Sequence, residues 1–316
     1  MKPAELEPNL VNCELALHPE VLAVVTTTFY SHWYPGELRG KDDTDKIRGD
    51  LALYTVSKAH DLGHNVIVVD GTGEKSPFWS ALELIGVIVE SQKENGMDPA
   101  RQQAFVLASE KEQVKVIAWI EPEKVSMTDP NCLWPASLAV LDGTYDLVIP
   151  RRDEVSFVTY PDYQSKYEKR ANDRFNNILE TSGLHTADGS LLDAWFGPRI
   201  FNKELLQYFT GRYDFKGTPE MGAVQNMHAK VKPGNYNSAT FFPIIRALFE
   251  GKKVGSVTIP YRHPLEQTKN EMNNPKMEEK RHDQYVNIIT ACLHYVRYLS
   301  ELSITTSKRS RISPIN

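Results

Sequence analysis

Two unbroken apolar runs, VLAVVT at residues 21–26 and NVIVVD at residues 65–70, constrain this chain more than any other feature. Runs of that length without polar alternation belong to strands buried on both faces, a condition met when helices cover both sides of a sheet. The segment between them supplies such a helix: Ile47, Leu51 and Tyr54 recur at helical spacing, and Gly63 stands where the helix would stop. Ser76-Pro77 offers a cap residue and a first-turn proline, which predicts a helix through Leu82, Ile85 and Val89 to about Asn95. Asp98-Pro99 opens another in the same way, and residues 114–120 (VKVIAWI) and 146–150 (DLVIP) read as further strands. Strand and helix in alternation predict an α/β sheet of parallel strands joined by crossover helices.

Ligands of such sheets sit outside the carboxyl ends of the strands. The residues there are Thr26, Thr27 and Thr28, then Asp70-Gly71-Thr72, then Glu121-Pro122-Glu123-Lys124, then residues 151–154. The threonine hydroxyls can hold a nucleobase or ribose, although strand propensity accounts for threonine equally well. Asp70 can accept from a ribose hydroxyl or close an Asx-type turn. Glu121 and Glu123 can reach one hard cation, Mg2+ or Mn2+, or form a solvated acidic turn about Pro122. Arg101, in the first turn of the helix after Gly96, can meet an anion at the helix amides or lie in solvent. His263, in the loop after a strand, can bind a metal or a phosphate or be structural. No GxGxxG opens the first helix and no GxxxxGK[ST] occurs, so a dinucleotide fingerprint and a P-loop are excluded.

The second half is less regular. Residues 163–180, 201–209 and 240–249 read as helices, the last ended by Gly251, and residues 254–260 as a strand. A long amphipathic helix is expected over 283–302, with Ile288, Cys292 and Tyr295 on one stripe. The expected organisation is an N-terminal extension (1–19), one domain (20–303, a nucleotide-binding half to 150 and an acceptor half with the C-terminal helix from 151), and a disordered basic tail (304–316).

Composition narrows the function classes. With 316 residues, 41% of them hydrophobic, the chain can bury a core without disulfide or metal staples. A formal charge of −5 argues against a nucleic-acid binder. Cys13, Cys132 and Cys292 are far apart with no CxxC pair, so they read as idle thiols in a reducing compartment and no structural zinc is expected. Residues 1–19 hold no long apolar run, and no stretch reaches the roughly 18 apolar residues of an integral membrane segment. The expectation is a cytoplasmic protein.

Taken in order, these segments resemble a GT-A-type glycosyltransferase of the nucleotide-diphospho-sugar transferase fold, family 2-like. Val69-Asp70-Gly71-Thr72 resembles the family's strand ending in VDDGS, and Gly96 with Ala100-Arg101 its G…AR segment. Glu121-Pro122-Glu123 stands in the place of its DxD. Asp193 with Gly197-Pro198-Arg199-Ile200-Phe201 is similar to its acceptor-side D…GxRxF, and the loop carrying His263 to its late metal-binding histidine. Retaining synthases of mannosylglycerate and glucosyl-3-phosphoglycerate share the late features.

The resemblance implies a Rossmann-like, mixed but mainly parallel sheet flanked by helices. It implies a nucleoside diphosphate sugar donor, held by Thr26, Thr27, Thr28, Asp70 and Arg101, and a carbohydrate or small hydroxyl acceptor. Mn2+ or Mg2+ would be the cofactor, bound by Glu121, Glu123 and His263, and Asp193 would act as base or orient the sugar. Trp33, Tyr34, Trp195 and Phe196 can stack on sugar rings or fill the core. A sugar-phosphate nucleotidyltransferase shares the sheet but carries a glycine-rich loop after its first strand, where this chain has Thr28-Phe29-Tyr30-Ser31. A non-catalytic sugar-nucleotide-binding protein is the third reading.

Overall fold

The computed structural model describes residues 18–40, 43–211, 239–272 and 275–310. Residues 1–17 of the expected extension, Cys13 among them, and residues 311–316 of the expected tail lie outside the described residues.

The two apolar runs are neighbours in a seven-stranded sheet: β1 (Leu22–Thr28) pairs in parallel with β2 (Asn65–Asp70), Thr28 opposite Asp70. Between them runs α1 (Thr44–Asp61), started by the Asp43 side chain accepting from the Lys46 amide. Gly63 turns the chain at φ 80°, a conformation that costs a glycine little. The helix expected over 76–95 is instead α2 (Pro77–Ile85) followed by an edge strand, β3 (Ile88–Ser91). Gly86 ends the helix in the left-handed region, and the β-branched Val87-Ile88-Val89 then favours a strand, though its spacing also suits a helix.

α3 (Met97–Ser109) leads to β4 (Val116–Trp119), parallel to β1 on its other side. α4 (Pro130–Leu141) has no counterpart in the sequence reading, because Pro135 inside it is a helix-breaking signal. Next come β5 (Leu147–Val148), β6 (Arg151–Arg152), a single turn α5 (Glu154–Phe157) and α6 (Asp162–Thr181).

β7 (Arg199–Asn202) inserts between β4 and β5 and runs antiparallel to both, giving the order β3-β2-β1-β4-β7-β5-β8. The sheet is thus mixed and mainly parallel, as expected. The helix read over 201–209 is the end of β7, a 3-10 turn and α7 (Leu206–Thr210). α8 (Phe242–Phe249) follows. The strand read over 254–260 divides into β8 (Val254–Gly255), at the sheet's edge, and β9 (Thr258–Ile259), which pairs with β6 in a separate ribbon. α9 (Leu265–Glu271) and α10 (Pro275–Ser310) complete the described chain, α10 starting earlier and ending later than its stripe suggested.

β1 shows why the apolar runs are unbroken. Ala23 and Val25 enter a core under α3, α6, α8 and α10, with Phe105, Trp119, Phe175 and Cys292, while Leu22 and Val24 enter a second core under α1, α2 and α4, with Phe78, Leu133 and Phe196. Among the described residues no helix is long and apolar enough to cross a membrane.

Candidate functional site

The carboxyl ends of β1, β2 and β4 open into a cleft of about 550 Å³. Its near side carries Thr27, Thr28, Phe29 and Gly71; its far side is built from α9 and α10 and the loop before them. Phe29 is 64% exposed at this cleft, an apolar ring that no core packing explains.

Thr27 and Thr28 line the cleft, whereas Thr26 is buried and does not. Asp70 is also outside the lining. It is buried, accepts from Thr28 Oγ1 at 2.7 Å, and closes the following turn by accepting from the amides of Thr72 at 2.9 Å and Gly73 at 3.2 Å. Burial raises its carboxyl above the ordinary value, against the pull of those hydrogen bonds. Asp70→Ala is therefore expected to lose about 1–2 kcal/mol of stability by freeing these donors, read as a lower urea midpoint with unchanged slope.

Arg101 lines the cleft from the first turns of α3, after Gly96 at φ 123°. Its guanidinium lies 3.3 Å from Asp98 and 4.9 Å from the centre of the Trp119 ring.

Glu121, Glu123 and His263 come from distant parts of the chain and all line the cleft. Each already has a partner. Glu121 is paired with Lys124 at 3.0 Å. Glu123 is paired with Arg48 of α1 at 2.7 Å and accepts from the Tyr30 hydroxyl at 2.6 Å. Burial works to raise the Glu121 carboxyl, but Lys124, with Arg101 and Arg281 behind it, holds it below its ordinary value.

His263 is buried 4.2 Å from the ring of Tyr160, its Nδ1 2.7 Å from Thr268 Oγ1. The Thr268 hydroxyl also lies 2.8 Å from the Thr159 carbonyl and 3.1 Å from that of Pro264; with its proton given to either, Nδ1 would carry the hydrogen and Nε2 the lone pair. Burial and the charges of Lys124, Arg281 and Arg152 push the imidazole down to about 2, which leaves it neutral.

A divalent metal that accompanies a diphosphate takes one or two protein carboxylates together with phosphate oxygens and waters. This donor set fits one poorly: one oxygen of Glu121 faces Lys124 and one of Glu123 faces Arg48, so a metal would compete with two cations for the carboxylates. Among the described residues no three His, Cys, Asp or Glu side chains gather as a metal site.

Asp193 lies outside the cleft. It is buried and accepts from Arg152 Nε at 2.7 Å, Arg152 Nη2 at 2.8 Å and Asn172 Nδ2 at 2.5 Å. Burial tends to raise its carboxyl, yet Arg152 holds it below the ordinary value, which makes it a poor proton acceptor. Arg199, in the same motif, is fully buried and donates to the carbonyls of Ala194, Gly197, Pro198 and Thr240. Burial without an adjacent carboxylate partner pushes it down to about 9.

Between them, Gly197 adopts φ 107°, and a Cβ there would come within 2.7 Å of the Glu121 carboxyl carbon. Of the four aromatics singled out in the sequence, Trp195 borders a recess of about 60 Å³ that shares Arg101, Glu121 and Arg281 with the cleft. Trp33 and Phe196 are core, and Tyr34 lies under Arg39.

The site also contains residues the sequence did not single out. Arg48 on α1 and Lys280 and Arg281 on α10 look like charges on solvated helix faces until those helices close on the cleft. Lys124, named at the strand end but given no role in the sequence, is 9% exposed, with its ammonium 4.7 Å from the Phe196 ring centre and 5.6 Å from that of Tyr261.

No protein family and no curated protein matches the sequence. Solved structures do match the fold. Mannosyl-3-phosphoglycerate synthase from Rubrobacter xylanophilus aligns over 97% of this chain and 80% of its own, at 11% identity and a TM-score of 0.50. Glucosyl-3-phosphoglycerate synthase from Mycobacterium tuberculosis, in complex with Mn2+, UDP and glucosyl-3-phosphoglycerate, aligns over 93% and 86%, at 13% identity and a TM-score of 0.47. A 4-diphosphocytidyl-2C-methyl-D-erythritol synthase from Anaerococcus prevotii aligns over 88% and 99%, at 11% identity and a TM-score of 0.39. The chain has the GT-A fold of nucleotide-diphospho-sugar transferases.

Proposed function

We propose that the protein transfers a sugar from a nucleoside diphosphate sugar to the hydroxyl of a carbohydrate or other small acceptor. The observation that carries this reading is a cleft at the strand ends with an exposed aromatic on one side and converging cationic side chains on the other. The base and ribose lie against Phe29, Thr27 and Thr28, with Gly71 allowing close approach. The diphosphate lies toward Arg101 and Lys124, where positive charge meets the negative charge that grows on the leaving group. The acceptor approaches from the side of the recess beside Trp195, which has room for no more than its reacting hydroxyl. Asp193 serves as an anchor: with both oxygens held by Arg152 and Asn172, it orients the cleft wall and takes no proton from the acceptor.

A thermal-shift screen of UDP-, GDP- and ADP-sugars tests the proposal. One of them should raise the melting point, since a ligand at a hundredfold excess over its Kd stabilises the folded state by about 2.7 kcal/mol. Phe29→Ala should weaken that ligand by about 1–3 kcal/mol through lost stacking while leaving the melting point of the free protein unchanged. Stabilisation by CTP or UTP, with none by the sugar nucleotides, would replace this reading by the nucleotidyltransferase one. Binding without transfer or donor hydrolysis would leave a sugar-nucleotide-binding protein.

A further inference from the structure

We infer that this cleft neutralises a bound diphosphate with the chain's own cations, Lys124 foremost, and holds it without a divalent metal. The inference rests on the nucleotide-sugar reading and concerns the same site.

Five cationic side chains line the cleft: Arg48, Arg101, Lys124, Lys280 and Arg281. They converge from α1, α3, the turn after β4, and α10. Against them among the described lining residues stand three carboxylates, of Glu121, Glu123 and Glu271, so the wall carries a positive excess.

The cations have capacity to spare. The Nε–H groups of Arg48 and Arg281 and the indole N–H of Trp119 are buried and have no hydrogen-bond partner among the described residues. All three belong to the lining, and an anion is what such donors can donate to. Lys280 is exposed at the edge of the cleft, and partial desolvation there, with the guanidiniums of Arg48 and Arg281, lowers its ammonium below the ordinary value, a repulsion that a bound anion would relieve.

Lys124 is the group a metal would have to displace. It is nearly buried, ion-paired with Glu121, and ringed by Phe196, Tyr261 and Tyr160, whose ring centres lie 4.7, 5.6 and 5.8 Å from its nitrogen. Drawing the half-exposed Glu121 carboxylate onto a metal would leave the nearly buried Lys124 ammonium uncompensated, an unfavourable change. A diphosphate has no such conflict: it adds negative charge beside a cation already desolvated and held in place, where attraction is strong.

Isothermal titration of the full chain with UDP, GDP and ADP, and with inorganic pyrophosphate as a base-independent probe, tests this in EDTA and again in excess Mn2+. The expected result is that pyrophosphate and one of the nucleotides bind in EDTA, with affinity changed by less than about threefold on adding Mn2+. Lys124→Met should weaken both by roughly tenfold or more, the loss of one charge-assisted hydrogen bond. Because Lys124→Met leaves the Glu121 carboxylate without its cation, Arg281→Met is the second variant and should weaken both probes likewise.

Binding that appears only with Mn2+ and is lost in Glu121→Gln would overturn the inference, as would wild-type affinity in both cation variants. If pyrophosphate binds in EDTA and no nucleotide does, the cation site stands and the nucleotide-sugar reading falls. If nothing binds under either condition, both fall.

Discussion

Arg152→Met is expected to lower the unfolding free energy by about 3–5 kcal/mol, the cost of removing one partner from a buried ionic cluster. Arg152 is fully buried, its guanidinium divided between Asp193 and Glu168, and its flat face covered by Phe157, Tyr160 and Phe196. Methionine fills much of the volume but leaves two carboxylates stranded in that setting. The dependence on pH has a definite sign. In the wild type the folded-state value of Asp193 lies below its unfolded value, so its contribution is present at neutral pH and is lost as pH falls through the folded value. In the variant only Asn172 and the backbone N–H of residue 152 still oppose burial, so the Asp193 pKa rises relative to the wild type and protonation at lower pH relieves the stranded charge. Urea unfolding of both proteins at pH 7 and pH 5 should therefore show a smaller deficit at pH 5. A deficit under about 1 kcal/mol at pH 7 would mean that the cluster is solvated and its role as anchor mistaken.

Gly197→Ala is the second severe change. At φ 107° an alanine carries about 1–3 kcal/mol of backbone strain. Its Cβ would also fall 2.7 Å from the Glu121 carboxyl carbon, and that carboxylate cannot yield freely while it holds Lys124. The two contributions separate in a double-mutant cycle. In a Glu121→Ala background the steric part vanishes and the φ strain remains, so the two losses should fail to add by about 0.5–3 kcal/mol. Strict additivity of the unfolding energies would show that Gly197 and Glu121 do not press on each other.

The parts of the fold that were legible in the sequence are those where a local pattern carries the whole signal. Buried on both faces, β1 and β2 have no polar alternation to confuse them, and both appear where their apolar runs lie. β3 was hidden because Leu82, Ile85 and Val89 satisfy a helical period across the break at Gly86. β7 is four residues long and opens with a buried arginine whose acceptors are carbonyls, a pattern that resembles no strand in isolation.

For the site, the strand-end rule led to Thr27, Thr28, Glu121 and Glu123, and resemblance added His263; all of them line one cleft. Charge pairing was not legible. Glu123 meets an arginine on α1, and Asp193 an arginine 41 residues earlier in the chain. An acidic pair that looks like a cation site in sequence is, in the fold, already served by the chain's own cations.

The antiparallel β7 has a consequence for how the chain folds. β4 and β5 follow each other in sequence, yet neither has a ladder to the other: Ile117 and Leu147 both pair with Phe201, on its two sides. The unit β3-β2-β1-β4 can assemble from near-neighbour crossovers, whereas joining β5 and β8 to it must wait for a strand that arrives late. Loop entropy is spent before those pairings return anything, which makes this a step of high contact order. Until it is taken, one side of β4 is an open sheet edge in the middle of an apolar core, and a nascent chain halted before residue 199 would present that edge to other chains.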